Sequence, residues 1–447
     1  MQSEHPEYGY GMTLSACLWI GLFPLLQGGT YTRITHDKWV AMLVLCGVTL
    51  CCFFFDLIYK RFRRKGSPAV LPDAAKAAPG LLSHNLPVLF AAALLLWTVL
   101  SCIFSKYGAD TWWNGKYARY EGLLTQLCYF GLFFCFFYSR VNLKPVLFSA
   151  AAGVAVFFVV VMLQRSGGNP LGLFPDSRGY ADGREFQGTI GNIDMGTGYL
   201  LLIAGLLLSG LLRCFPLSAS HAPFLTFVAV FVFSVGLILS LYLIITMEVQ
   251  FGIISLCVLF LITLLCFLPK KRRLPLLILL IVLMLIVVWF WPGENGGLWE
   301  LHEIIHGRGR LSFGSNRVAV WAYSLRMAQE NLLLGGGSGT FQSRFNRFLS
   351  DNSLVIPDEQ DGAPLPDYFD NPHNEYIAQM TDHGLPAMLL FLTLLFSVFM
   401  RRPKYGLPCL APCSAAVLCY MVQAFFSFSV CIVAPMFWIL LSLSFKE

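Results

Sequence analysis

The sequence predicts an all-α integral membrane protein of about twelve transmembrane helices, with a helical extracytoplasmic subdomain between the ninth and tenth. Three observations predict it. Of the 447 residues, 57% are hydrophobic and 13% charged, where a soluble chain carries about a quarter charged residues; mean hydropathy is +0.66. Apolar runs recur at membrane-crossing length, since a hydrocarbon core of about 30 Å needs about 20 helical residues. The basic residues fall in short clusters beside those runs, as topology signals do.

The expected spans lie near residues 11–29, 39–58, 86–105, 121–138, 145–163, 194–212, 222–243, 250–268, 274–292, 384–400, 406–426 and 430–445. The chain thus divides into 1–292, with nine spans and outer loops 106–120 and 165–193; an outer helical segment, 293–383; and 384–447, with the last three spans. Basic clusters at Lys60 to Lys65, Arg140 and Lys144, Arg213, Lys270 to Arg273, Arg401 to Lys404, and Lys446 all fall in even-numbered gaps or at the C-terminus. The positive-inside rule then sets both termini in the cytoplasm. The net charge of +6 is spent on these turns, so no nucleic-acid partner is expected. Met1 to Tyr10 is polar and partly acidic, which predicts no cleaved signal peptide. The 14 cysteines lie within or beside apolar runs without zinc-type spacing and read as buried thiols.

Ninety residues of outer structure are long for a mere connection. Segment 293–383 carries helical patterns near 315–331 and 371–382, with a turn at Gly335, Gly336 and Gly337 between them. Residues 351–370, rich in Asp, Pro and Gly, read as a surface excursion able to serve as a lid.

The candidate chemistry lies in these loops. His373, in Asn371-Pro372-His373-Asn374-Glu375-Tyr376, opens a helix leading into the tenth span, where an imidazole can exchange a proton near neutral pH. Arg317 begins an amphipathic run through Trp321 to Met327 that can rest on the membrane interface. Its guanidinium fork matches a diphosphate, although arginines at interfaces also snorkel to headgroups. Asn192 and Asp194 close a polar stretch that starts at Arg184. A carboxylate entering the membrane needs a partner, and Arg184 or Arg178 is positioned by sequence to supply one. Trp112 and Trp113, followed by Arg119 and Glu121, suit an aromatic belt.

These blocks resemble the O-antigen ligase and polymerase superfamily of membrane glycosyltransferases. Arg317 through Trp321 with Glu330-Asn331-Leu332-Leu333-Leu334-Gly335-Gly336-Gly337-Ser338-Gly339-Thr340-Phe341 resembles the family's Arg…Trp…Asn-Pro-Leu-x-Gly-x-Gly-x-Gly-x-Phe block. His373-Asn374-Glu375-Tyr376 with His383-Gly384 resembles its His-Asn…Gly block, and Gly188-Thr189-Ile190-Gly191-Asn192 its Gly-Thr-x-Gly-Asn block. The likeness runs from about Trp112 to the C-terminus and more weakly through the first three spans.

The resemblance implies a helical GT-C-like fold in a bacterial cytoplasmic membrane. It also implies a glycan donor linked to polyprenyl (undecaprenyl) diphosphate, and a glycan, lipid-core or protein acceptor. The reaction it implies needs neither metal nor cofactor and serves envelope polysaccharide or lipopolysaccharide assembly. An O-antigen ligase-like activity is expected first, a Wzy-type polymerase or protein O-oligosaccharyltransferase next; a transporter or flippase is the rival from another class. Carried over, His373 becomes the catalytic base and Arg317 the diphosphate ligand, with Asn374, Glu375, Tyr376, Trp321, Asp194 and Asn192 in support. The outer loops hold no Asp-x-Asp sequence. Where the family often has Ser-Arg-Gly at the eighth span, this chain reads Thr246-Met247-Glu248 onward. A second arginine must then come from Arg184, Arg119 or Arg310. Ala387 stands for the second glycine of a family Gly-x-x-Gly, a change that still permits close helix packing.

Overall fold

The computed structural model describes residues 8–64, 78–113, 119–175, 183–214, 223–356, 369–400, 411–428 and 430–446. The first five helices are α1 (Tyr10–Cys17), α2 (Ile34–Arg64), α3 (Ala78–Ile103), α4 (Leu123–Phe137) and α5 (Leu143–Arg165). A short antiparallel pair, β1 (Phe186–Gln187) and β2 (Gly191–Asn192), leads into α6 (Ile193–Cys214), α7 (Pro223–Thr246), α8 (Gln250–Phe267) and α9 (Lys270–Trp289). Then come α10 (Gly296–Ile305), α11 (Arg317–Ala328), α12 (Phe341–Asp351) and α13 (Glu375–His383), followed by α14 (Leu385–Met400), α15 (Pro412–Ala424) and α16 (Ala434–Ser444).

Among the described residues, seven helices are long and apolar enough to cross a bilayer, and five shorter apolar helices occupy the remaining expected positions. The chain is thus a multi-pass membrane protein, with short helices where twelve full spans were expected. The first of these is shortened by a visible cause. After Cys17 the helix loosens into a π turn, Leu18–Leu22, and tightens into a 3-10 turn, Phe23–Leu25, at Pro24, which has no N–H to continue the ladder. Lys38 of α2, fully buried, donates through Nζ to the helix-end carbonyls of Phe23 at 3.0 Å and Pro24 at 2.7 Å, closing the helix end. At the other end of α1, the Asp56 carboxylate accepts from the backbone N–H groups of Gly11 and Met12 at 3.0 and 2.9 Å, the usual role of an acid at a helix N-terminus.

The bundle is organised around α6, which packs against α5, α7, α8 and α15. Of the most apolar stretch of each helix, 89% is buried in α6 but only 6% in α9, so α6 is the centre and α9 the rim. Contact with α15 is at backbone range: a Cβ on Gly205 would stand 2.7 Å from Ala416. Small residues allow that approach. Gly9 N donates to Arg140 O at 2.7 Å and Lys446 Nζ to Phe136 O at 3.0 Å, so the N-terminal residues, the α4–α5 turn and the C-terminus share one end of the bundle.

The segment after α9 builds a second, smaller core. Ala319, Val320, Tyr323 and Met327 of α11 meet Phe341, Phe345, Phe348 and Leu349 of α12, with Ile356 beside them. The apolar stripe of α11 is therefore covered by protein, a correction to the expectation that it lies on the membrane. The helix at 371–382 starts later than expected, at Glu375, and breaks at Gly384 before α14. Cys266 is disulfide-bonded; the reading of all 14 as thiols does not hold. Residues 357–368, most of the expected lid, lie outside the described residues, as do Arg178 and the 401–404 basic cluster.

Candidate functional site

The site is assembled where α11, α13 and the end of α15 meet. Asn374 caps α13, its Oδ1 accepting from Ile377 N at 3.0 Å, which ties off an otherwise unpaired donor. His373 sits just before that cap with φ of +48°, a left-handed backbone rare for histidine. The turn is fixed from both sides. Asn371 Oδ1 accepts from His373 N at 2.8 Å, and Trp321 Nε1 of α11 donates to Pro372 O at 2.9 Å. Tyr376 OH donates to Met421 O of α15 at 2.7 Å.

Around His373 stand three charges, two from distant parts of the chain and one from the turn that precedes it. Arg317 and Arg119 press its proton affinity down and Asp370 raises it; with burial as the largest cause, its pKa is lowered to about 4. The Phe428 ring is the common platform: His373 meets it edge to face at 5.1 Å, and the Arg119 guanidinium lies 5.0 Å from its centroid. Arg119 is also paired with Asp370. His373 Nδ1 is buried without a hydrogen-bond partner.

Arg317 is partly buried, its guanidinium 5.3 Å from the Phe251 ring centroid. Nη1 donates to Gly314 O at 3.1 Å, whereas Nε makes no hydrogen bond. Burial lowers its pKa, and the charges of Asp194 and Glu300 oppose that. Among the described residues the cation acting on Asp194 is thus Arg317, not Arg184; Arg178, the other partner the sequence offered, lies outside the described residues. The side chain of Arg184 is exposed, and its carbonyl accepts from Gln187 Nε2. Arg310 is exposed on the loop after α10, within electrostatic reach of Glu303. Of the three candidate second arginines, the fold brings Arg119 to His373. Asn192 Oδ1 accepts from Asp194 N at 2.9 Å, and the Asp194 carbonyl accepts from Gln423 Nε2 at 2.8 Å.

The glycine turn docks on the far end of α13. Gly336 N and Gly337 N donate to the carbonyls of Thr381 and Asp382 at 3.1 and 2.8 Å, and Leu385 N to Leu332 O at 2.7 Å. Gly384 has φ of +88°, and a Cβ there would stand 2.0 Å from Leu333 O. Ser338 Oγ lies 2.8 Å from His383 Nε2, and Arg344 Nη2 donates to Asp382 at 2.8 Å. Burial lowers the pKa of His383 to about 3 and raises that of Asp382 to about 6. Glu375, 5% exposed, is raised by burial to about 8, against a hydrogen bond with Tyr420 that lowers it.

A cavity opens between α4, α13 and α16, bounded by Arg119, Asp370, Glu375 and Phe428. A smaller one lies on the other side of Glu375 beside Met195 and Gln423. Among the described residues no cluster of three or more His, Cys, Asp and Glu side chains forms that would hold a metal ion. Sequence reasoning missed Asp370, Phe428 and Gln423. Asp370 carried a signal, an acid three residues before the histidine; the other two sit at the end of an apolar run and carried none. It also missed Arg165, whose Nη1 donates to Thr246 Oγ1 at 2.7 Å and Nη2 to Gln187 Oε1 at 2.9 Å. This guanidinium joins the Gly188–Asn192 turn to the place where a second arginine was expected.

Comparison with curated proteins finds no match to the chain. A family model described as O-antigen ligase matches residues 235–392. The match takes in both the Arg317 and the His373 blocks, but not Arg119, the Gly188–Asn192 block, α15 or α16, and so is narrower than the likeness seen in the sequence. The family implies a membrane glycosyltransferase-like ligase or polymerase acting on glycan and lipid-linked substrates. Residues 235–392 of this chain thus match the O-antigen ligase family model, a similarity that supports the O-antigen ligase and Wzy-type superfamily.

Proposed function

We propose that the protein transfers a glycan from a polyprenyl diphosphate to an acceptor hydroxyl at the outer face of the bacterial cytoplasmic membrane, as a ligase of envelope polysaccharide or lipopolysaccharide assembly. The observation that carries this reading is the pairing, around one imidazole, of two guanidiniums from distant segments. His373 is neutral at pH 7 with an unpartnered ring nitrogen, and Arg317 and Arg119 both act on it electrostatically.

The prenyl chain stays in the bilayer while the diphosphate meets Arg317, whose Nε is uncommitted. The acceptor hydroxyl hydrogen-bonds His373. As its oxygen forms a bond to the anomeric carbon, the bond from that carbon to the diphosphate oxygen breaks; His373 takes the hydroxyl proton, and the electron pair leaves on the diphosphate. Arginine offsets the charge that develops there, and no divalent ion is required. Direct attack inverts the anomeric centre. Asp194 and Glu300 hold Arg317 in place through its charge, and Trp321 and Asn374 hold the histidine turn.

The test is to incubate purified protein in lipid with a polyprenyl-diphosphate oligosaccharide, candidate acceptors and a metal chelator, and to read product length and linkage. A single glycan moved to a core or protein acceptor supports the ligase. Growth on a second lipid-linked repeat would point to the polymerase instead, and no new glycosidic bond with any acceptor would sink the reading.

A further inference from the structure

After the rim helix α9 the chain turns back on itself and keeps an apolar side. His302 of α10 donates through Nδ1 to Val288 O at 2.9 Å, tying off a carbonyl at the end of α9, and His306 lies against the Trp289 ring with centroids 4.3 Å apart. Helix α10 has two unlike faces. On one, Trp299 meets Phe313 edge to face at 5.4 Å, Glu300 accepts from Gly314 N at 2.9 Å, and the buried Glu303 is bridged by Arg308 at 2.6 and 2.9 Å. Leu298, Leu301 and Ile304, spaced along the opposite side of the helix, are exposed.

The stripe continues the exposed apolar surface of α9 by way of Trp289 and Phe290, the latter 75% exposed. That surface is left to lipid, since only 6% of the most apolar stretch of α9 is buried. Helix α9 starts at the basic cluster Lys270 to Arg273, so α10 lies at the opposite surface of the bilayer. Between Gly296 and Arg310 two acids, Glu300 and Glu303, match two arginines, Arg308 and Arg310. With no net charge to draw an ionic partner, the apolar stripe is what this helix has to bind with.

We infer that α10 is seated in the bilayer interface at that surface, with Leu298, Leu301 and Ile304 among the acyl chains, and that through Glu300 it sets the depth of Arg317 relative to the lipid phosphates. The interfacial place expected of α11 falls to α10 instead. The link is two hydrogen bonds long: Glu300 accepts from Gly314 N, and Arg317 Nη1 donates to Gly314 O at 3.1 Å. The Glu300 charge also acts on Arg317. A diphosphate carried on a prenyl chain arrives at one height in the membrane, and a guanidinium held at that height meets it; a soluble diphosphate has no such restriction. The depth coupling rests on the donor proposed above, whereas the seat of α10 stands on the helix alone.

The experiment places the full chain, one copy per disc, in phosphatidylcholine nanodiscs with a tracer of phosphatidylcholine that carries a diazirine on its acyl chain, and maps the adducts after illumination. Burying one leucine is worth about ten- to a hundredfold in partition. Adducts are therefore expected on Leu298, Leu301 and Ile304, as on α9, and at least about tenfold fewer at exposed Ser350 of α12. No enrichment of α10 over α12 overturns the seat and leaves the stripe to a protein partner. Leu301→Glu and the milder Leu301→Gln should weaken binding of undecaprenyl diphosphate at least about tenfold, while binding of the soluble geranyl diphosphate stays within about twofold; Leu301→Met keeps both. A general distortion of the site would weaken both ligands alike. Equal loss of the two, or loss of neither, overturns the coupling. If the unaltered protein binds neither diphosphate, the donor reading falls and the coupling with it, while the adducts still decide the seat.

Discussion

An imidazole that carries no proton at neutral pH is ready to accept one, and His373 is in that state because burial and two guanidiniums oppose its protonation. If it is the base, replacing it by alanine lowers turnover about 10²–10⁴-fold in protein that inserts and folds normally. Its titration sets the acid limb. With the pKa lowered from 6.5 to about 4, kcat/KM holds as pH falls through 6.5 and drops only near 4; a limb at 6.5 would remove His373 from the role. Arg317→Lys keeps the charge and loses the fork. One charge-assisted hydrogen bond is worth about 1.5–3 kcal/mol, so donor affinity should fall about ten- to a hundredfold, as measured by titrating polyprenyl diphosphate. Glu375 gives a stability signature of opposite sign to that of an ion-paired acid. Its folded carboxyl keeps a proton up to about pH 8, whereas the unfolded one ionises near 4.5. The contribution is fully present below 4.5 and is lost as pH rises through 8. Melting temperatures of Glu375→Gln relative to the unaltered protein should therefore climb across that window, and parallel curves would show that Glu375 does not titrate this way.

Elements were legible to different degrees, and the differences have causes. The long spans, α2, α3 and α5 to α9, stand out in composition because lipid demands uniform apolarity. The short α4, α14, α15 and α16 were drawn too long, since hydropathy continues past the point where the backbone leaves the helix. Helix α12 went unread although Phe341, Phe345, Phe348 and Leu349 repeat at helical spacing; its charged and polar residues masked the stripe. The likeness of the Arg317 and His373 blocks to a family announced that they matter but not how they touch. Trp321 donating to Pro372 O, and the glycine turn lying on α13, are properties of the fold. The α13–α14 junction offers a direct check. At Gly384 a side chain would meet Leu333 O in a backbone conformation that disfavours it. Gly384→Ala should therefore cost more than about 1 kcal/mol, read as a lower melting temperature and faster proteolysis, while alanine at the open Gly47 should cost far less.

For the molecule as a whole, the arrangement of charge along the bundle is the main statement. The end that gathers Gly9, Arg140 and Lys446 is the one the positive-inside rule assigns to the cytoplasm, and the His373 cluster belongs to the other. A fluorescent reporter that matures only in the cytoplasm should light up when fused after Lys446, and a phosphatase active only outside should work when inserted after Asn352. The reverse pattern would put the chemistry on the wrong side for a lipid-linked donor exposed to the exterior. Rim helix α9 leads to a consequence of another kind. With so little of it touching its neighbours, almost no side chain there has a shape to match, only a solvent to satisfy. Exchanges among leucine, isoleucine, valine and methionine along Leu277 to Val287 should pass unnoticed in expression and melting, whereas one aspartate near Val282 should prevent insertion. Drift in that stretch would be wide in spelling and narrow in polarity, a freedom that the crowded α6 does not share.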